Sequence, residues 1–277
     1  MHLYHYCPLQ TFAAIFDSGT LRLTDISKSN DSQELKYLIP VLGNALKQSF
    51  LAEARRAKYF KNNINELCFF DTVDSWLKET FITNRRTCYV ICFSQEPDLL
   101  SQWRGYAADG TGASIGIDQQ ELANTKISGM KLRQIVYDKR KQKGNARLLA
   151  DKVVHLLKVK AKNDVIKEQD INGALTLFID EFSLLLATAK APFFKEEKEW
   201  RLFLYAGENA LTNERFLFTN GNCKKYIDFK IADIIEAVAP MDIRLGPKCQ
   251  AKAKDIEAYL ASKKIAGKVT PSKGTYV

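Results

Sequence analysis

Hydrophobic positions recur along this chain with two periods, one near 3.6 and one of 2, and they set out its elements in order. LYHY near the start reads as a short strand. In the next stretch, PLQTFAAIFDSG, Leu9, Phe12, Ile15 and Phe16 fall at helical spacing and Gly19 is placed to close the helix. LRLTD alternates as a second strand. KSNDSQEL offers a helix start, with Asn30 or Asp31 as cap and Glu34 near the third position; these three read first as a cap and second as pocket groups. From there to about Asn84 the pattern is mainly helical, and Ile64 to Phe81 forms a second amphipathic piece.

TCYVICFS (87–94) is the clearest strand, rich in β-branched and aromatic residues. PDLLSQWRGYA predicts a short helix with Leu99 or Leu100, Trp103 and Ala107 on one side, and Asp109-Gly110-Thr111-Gly112 a turn. ASIGID and MKLRQIVYD read as strands. Residues 142–190 are helical, in two pieces broken near Gln169–Gly173; Leu149, Val153, Leu156 and Leu157 oppose a face of Lys143, Arg147, Lys158 and Lys162. EWRLFLYA (199–206) alternates as a strand, followed by KKYIDFKI and a run near Ile234–Val238. LGPK then opens a helix over AKAKDIEAYLASKK, and VTPSKGTYV is strand-like. Gly246-Pro247 with Lys248 is either an ordinary helix start or, through its free N–H groups, an anion site. This order predicts an α+β fold rather than a doubly wound α/β sheet. We expect one domain over 1–277, with helical segments at about 31–82 and 142–190.

Composition narrows the class. At 46% hydrophobic, with 14 Gly and 7 Pro in 277 residues, the chain is neither disordered nor collagen-like. Its longest apolar stretch, around Phe182 to Ala189, is far short of the ~20 residues that cross a bilayer. MHLYHYCPLQ lacks the basic and apolar regions of a secretory signal. The six cysteines are irregularly spaced with no CxxC pair, which predicts reduced thiols, a cytoplasmic protein and no metal site. Three histidines and no HExxH, GxSxG, GxxxxGK[ST] or GxGxxG exclude the commonest metalloprotease, serine-hydrolase and nucleotide-loop readings. The charge of +9 is localised: residues 131–167 hold 12 cations against 3 acids. That block is either a solvated helix face or a surface for nucleic acid.

LYHY with a helix ending in SG, SNDSQE, CFS, LSQWRGYA, FKEEKEWRL, LGPK and VTPSKGTY stand in the order found in bacterial domain-of-unknown-function family 2971. From about Leu3 to Tyr276 the chain resembles that family; where the family usually places an Arg after the last Tyr, Val277 stands instead. The opening of strand, amphipathic helix, Gly and short strand more distantly resembles NAD-dependent ADP-ribosyltransferases, including DNA-modifying toxins. This second resemblance implies a split β-sheet core with a largely helical insertion, and NAD as the substrate. It implies His5, Tyr106 and Glu199 as catalytic residues, with Tyr6, Ser94, Trp103, Arg104 and Arg201 binding NAD.

The residue types suit that chemistry. Breaking the nicotinamide–ribose bond builds positive charge on the ribose, which a fixed carboxylate such as Glu199 stabilises. His5 can bond a ribose hydroxyl, Tyr106 or Trp103 can stack on the cationic ring, and Arg104 or Arg201 can hold the pyrophosphate. Plainer readings stand beside these. His5 could be a satisfied strand-end histidine, Trp103 core, and Glu199 with Arg201, on one side of a strand, a structural ion pair. The implied function is an intracellular NAD-cleaving transferase, a toxin or antiphage defence effector acting on nucleic acid or protein and paired with an antitoxin or defence-system partner. The alternative is a non-enzymatic nucleic-acid-binding module that uses Lys143, Arg147, Lys158 and Lys162. A metal-dependent nuclease built on Asp98, Asp109 and Asp118 lacks the expected spacing.

Overall fold

Among the described residues the chain forms ten strands: β1 His2–Cys7, β2 Thr20–Asp25, β3 Cys88–Ser94, β4 Ala113–Asp118, β5 Lys131–Gln134, β6 Glu199–Tyr205, β7 Arg215–Thr219, β8 Asn222–Lys230, β9 Met241–Leu245 and β10 Gly267–Pro271. They come from a computed structural model that describes residues 1–26, 37–83, 87–205, 213–219, 222–234 and 241–274. The expected cap at Asn30, Asp31 and Glu34, and the positions of Asn84, Ala206, Val238, Tyr276 and Val277, lie outside the described residues. Mixed sheet and helix make the chain α+β.

Two compact units divide the chain. One contains 1–29, 87–135 and 194–277; the other contains 30–86 and 136–193. All ten strands belong to the first unit, in one forked sheet. β3 is the branch point. One edge pairs along its whole length with β6, from Cys88↔Tyr205 to Ser94↔Glu199, and β6 pairs in turn with β5. The other edge is shared. Near its start β3 meets β2 through Thr24↔Val90 and Asp25↔Tyr89, and at its end it meets β1 through Tyr4↔Ser94. β1 continues into β4, β9 and β10, while β2 continues into β8 and β7.

The core of this unit follows the alternation. Leu3 and Cys7 of β1, Tyr89, Ile91 and Phe93 of β3 and Leu202 of β6 are buried together with Phe12, Ile15 and Phe16 of the helix Leu9–Ser18. That helix closes at Gly19, whose φ of 64° is open to glycine without a Cβ penalty. The helix Ala253–Ser262 contributes Leu260 to the same core.

The second unit is helical among its described residues. Its helices are Ile39–Arg56, Lys58–Asn63, Glu66–Lys78 (extended by a wider turn over Glu79–Thr83), Lys139–Lys160, Glu168–Leu177 and Ile179–Ala187. Phe50 stacks on Phe69 at 4.5 Å between ring centroids, and Leu149, Val153 and Leu157 join their core. Two expectations need correction here. Leu156 is exposed, because Leu157 occupies the inward position at that turn. The helical stretch breaks at 161–167 and again at Phe178, not at Gln169–Gly173, which lies inside a helix at whose start the Lys167 N–H donates to the Asp170 carboxylate at 2.9 Å.

Candidate active-site cleft

The cleft opens beside the fork in the sheet. Tyr4↔Ser94 is the last pair between β1 and β3, and the residue after it on β1 is His5. The imidazole Nδ1 lies 2.9 Å from the carbonyl oxygen of Cys92. A carbonyl only accepts, so the bond assigns the proton to Nδ1 and leaves Nε2 as a lone-pair acceptor. Burial holds the His5 pKa below the usual imidazole value, against the opposing pull of the Cys92 bond, so the ring is neutral at physiological pH.

Glu199 enters from the other edge of β3. The residue before it, Lys198, has φ 44°, a left-handed conformation that costs a non-glycine residue on the order of 1–3 kcal/mol. Three contacts hold it there: its N–H donates to the Lys195 carbonyl at 3.3 Å, its carbonyl accepts the Gln95 N–H at 3.2 Å, and its ammonium pairs with Glu96. The turn sets Glu199 opposite Ser94, with the residue 6% exposed. The Glu199 carboxylate takes a two-pronged ion pair from Arg201, Nε to Oε1 at 2.6 Å and Nη2 to Oε2 at 3.1 Å. Arg201 is 2% exposed, so the pair is desolvated and fixed in geometry.

The short helix Leu100–Tyr106 supplies the third wall. Gln102 and Tyr106, one turn apart on one face, both line the cleft with His5, Tyr6, Cys92, Phe93, Glu197 and Glu199. The recess they enclose is small, about 50 Å³. Tyr106 is 39% exposed at its mouth. The Tyr6 hydroxyl is committed to the frame: it donates to the Glu96 carbonyl at 2.6 Å and accepts the Leu99 N–H at 3.1 Å. Burial raises the Tyr6 pKa, so the phenol stays protonated. Asp98 braces the far side of the helix, accepting from the Trp103 indole at 2.7 Å, the Ser272 hydroxyl at 2.6 Å and the Lys273 N–H at 2.7 Å. Burial works to raise the Asp98 pKa, but these three bonds outweigh it and hold the carboxyl below its usual range.

The structure thus brings His5, Tyr6, Tyr106 and Glu199 to one recess, and it gives the other expected residues different places. Trp103 is 1% exposed and packs edge-on against Tyr6 at 4.7 Å; with its N–H bound to Asp98 it is core, not a stacking platform. Ser94 is buried, donates to the Glu197 carbonyl and accepts the Glu96 N–H, so it ties loops together. Arg201 has its guanidinium fork on Glu199 instead of facing a pyrophosphate. Arg104 is exposed on the helix and does not line the recess. Cys92 and Phe93 belong to the CFS motif that the resemblance places at the site, whereas Gln102 and Glu197 are not among the expected site residues; Gln102 was within reach, because it shares a helix face with Tyr106 and lies off the apolar side of Trp103 and Ala107.

LGPK is also corrected. The last long helix starts at Ala253, so Gly246 to Lys248 are not at its N-terminus. They interlock with the Asp109–Gly112 turn instead: the Gly246 N–H reaches the Gly112 carbonyl and the Lys248 N–H the Gly110 carbonyl, both at 2.9 Å. A Cβ on Gly246 would lie 2.3 Å from the Gly110 oxygen, so only glycine fits.

In the helical unit, the proposed cationic face is partly neutralised. Arg147 pairs with Asp151 at 2.9 Å and Lys158 with Glu53 at 2.7 Å, while Lys143 and Lys162 are exposed. Among the described residues no group of three or more His, Cys, Asp or Glu could hold a metal ion, and all six cysteines are free thiols. No described helix is long and apolar enough to cross a membrane.

No curated protein and no solved structure matches the chain. The family model for a protein of unknown function (DUF2971) matches residues 102–202, a span that begins on Gln102 and ends just beyond Glu199 and Arg201.

Proposed function

We propose that the strand-rich unit is an ADP-ribosyltransferase-like enzyme that cleaves the nicotinamide–ribose bond of NAD, with Glu199, His5 and Tyr106 as its catalytic residues. The observation that carries this reading is their convergence on one recess from three distant parts of the chain. The fork of the sheet at β3 supports the split-sheet core that the sequence resemblance implies.

Each side chain has a role its surroundings favour. Glu199 is held as a carboxylate by Arg201, and its negative charge stabilises the cationic ribose as nicotinamide departs. Neutral His5 offers Nε2 to a ribose hydroxyl. Tyr106, at the mouth, lays its ring against the pyridinium. Arg201 acts as a positioning residue through Glu199. A recess of this size takes one end of the dinucleotide, and the remainder lies along the open side, where Arg104 is the nearby cation in sequence. The acceptor of the ADP-ribose is nucleic acid or protein. We favour this reading over a purely nucleic-acid-binding role because Arg147 and Lys158 are already matched by carboxylates within the helical unit.

Incubation with NAD and measurement of nicotinamide release tests the proposal. Glu199→Gln keeps the shape and removes the charge, and the rate should fall about 10²–10³-fold. Equal rates in the two proteins would remove Glu199 from the reaction, and no release from the native chain would remove NAD.

A further inference from the structure

We propose that β7 is a dimerisation edge, on which a second copy of this chain lays its own β7 in antiparallel register centred on Leu217. β7 stands at one end of the sheet. β8 pairs with one of its edges, and among the described residues no strand pairs with the other. Edges of this kind are usually blunted by lysine, proline or a bulge. β7 has none of these: its sequence is RFLFT, and its pairing with β8 runs unbroken from Arg215↔Tyr226 to Thr219↔Asn222. Phe218 is 77% exposed, Phe216 53% and Leu217 38%.

The ladder fixes which residues can take a new strand. Thr219↔Asn222 flanks a two-residue connection, which makes it a hydrogen-bonded pair, and the pairs alternate from there. Thr219, Leu217 and Arg215 therefore direct their N–H and C=O groups at β8, while Phe216 and Phe218 aim theirs outward. The two exposed aromatic side chains thus sit on the residues whose backbone is open to a partner.

A second copy fits because the strand is self-complementary. About a two-fold axis at Leu217, Phe216 lies opposite Phe218 of the second copy, and Phe218 opposite its Phe216. Each pair exchanges N–H···O=C bonds and sets ring beside ring on one face of the sheet, and Leu217 meets its own mate on the other face. Charge agrees. Arg215 comes opposite Thr219 and not another arginine. Arg215 is matched by Asp228 at 3.7 Å and Glu214 by Lys225 at 3.3 Å, so the strand holds no unmatched charge for an acidic or basic partner. A neutral apolar strand suits this edge, and β7 itself is one. The union makes one continuous sheet from the β3 fork of one copy to that of the other, through β2, β8 and β7. Three side chains per copy form a contact smaller than the roughly 1,000 Å² of a stable interface, so the dimer is weak, with a dissociation constant on the order of 10–100 µM.

The test is sedimentation velocity of the full chain from about 1 to 200 µM, beside Phe218→Lys and Phe218→Pro. The native chain should pass from monomer to dimer over that range. Added salt should favour the dimer, because each copy carries a charge of +9. Phe218→Lys should raise the dissociation constant at least about tenfold. Phe218→Pro should do the same, since it removes an outward N–H and leaves the bonds to β8 in place. Circular dichroism checks that both variants keep their sheet. Cross-linking tests the register without either of them. In a Cys223→Ser background, Leu217→Cys lies on the axis, where the Cα atoms of a non-hydrogen-bonded pair are about 4.5 Å apart, and mild oxidation should give a disulfide-linked dimer. Phe216→Cys, two residues out of register with its own mate, lies beyond the roughly 7 Å that a disulfide spans and should not. A chain that stays monomeric overturns the proposal, whether or not a foreign strand binds the edge. A dimer unchanged by both Phe218 variants uses another face and overturns it too. Cross-linking through Phe216→Cys but not Leu217→Cys overturns the register.

Discussion

The two units handle charge in opposite ways. The helical unit carries most of the basic block, yet its cations lie at the surface, with Arg147, Lys158 and Lys160 each facing a nearby carboxylate. Such pairs are screened by water and can rearrange at little cost. The strand-rich unit instead buries Glu199 and Arg201 as a bidentate pair beside a neutral imidazole. Desolvation makes that pair costly to form and sensitive to geometry. Charge count directs attention to the helix; burial directs it to the recess.

That contrast is sharpest if one ionic partner is removed from each unit. Arg201→Met leaves the Glu199 carboxylate buried without its cation, and unfolding free energy should drop by about 3–5 kcal/mol in denaturant titrations. Adding Glu199→Leu to that variant should recover most of the loss, because an apolar pair of similar volume carries no desolvation cost. If the single variant is as stable as the native chain, the pair is not buried as described.

His5 gives a smaller, pH-dependent effect. Its folded pKa lies below the free value near 6.5, so its contribution to stability is complete above that value and is lost as pH falls below it. Stability should decline below about pH 6.5 by up to ~1.4 kcal/mol per pH unit from this group. His5→Gln should remove that component when midpoints at neutral and mildly acidic pH are compared; an identical slope in the two proteins assigns the dependence elsewhere. The smallest effect belongs to the helical unit. Lys158→Ala should lower the unfolding midpoint only slightly, measured the same way, since the Lys158 side chain is a surface cation about a third exposed.

Local periodicity made several elements legible. Phe12, Ile15 and Phe16 mark one helix, and the β-branched run of β3 marks the central strand. It failed where tertiary partners decide. Phe216 and Phe218 are exposed on edge strand β7, which has no buried face to pattern it, and this strand went unread. Ile231, read as the end of a strand, begins the short helix Ile231–Ile234. LGPK looked like a helix start because Gly-Pro commonly precedes one, whereas contact with the Asp109–Gly112 turn fixes its conformation.

The same division holds at the cleft. Period two placed Glu199 and Arg201 on one side of a strand, so their pairing could be anticipated. Their burial could not, because FKEEKEW is charge-rich and only the register with Ser94 draws Glu199 inside. Trp103 and Tyr106 are both candidate ring platforms in the sequence, with core as the plainer reading of Trp103; three residues of helix separate a core indole from a phenol at the mouth.

The order of strands in space has a consequence for synthesis. β1, made first, borders β3 and β4, while the acid opposite its imidazole arrives almost two hundred residues later. The wall carrying Gln102 is locked by Ser272 and Lys273, later still. A nascent polypeptide emerging from the ribosome therefore carries the imidazole, the phenol and the amide long before it has a formed pocket. Contacts of such long sequence separation close late. Whatever chemistry the finished cleft performs is withheld from the cell until translation has passed its distal strands.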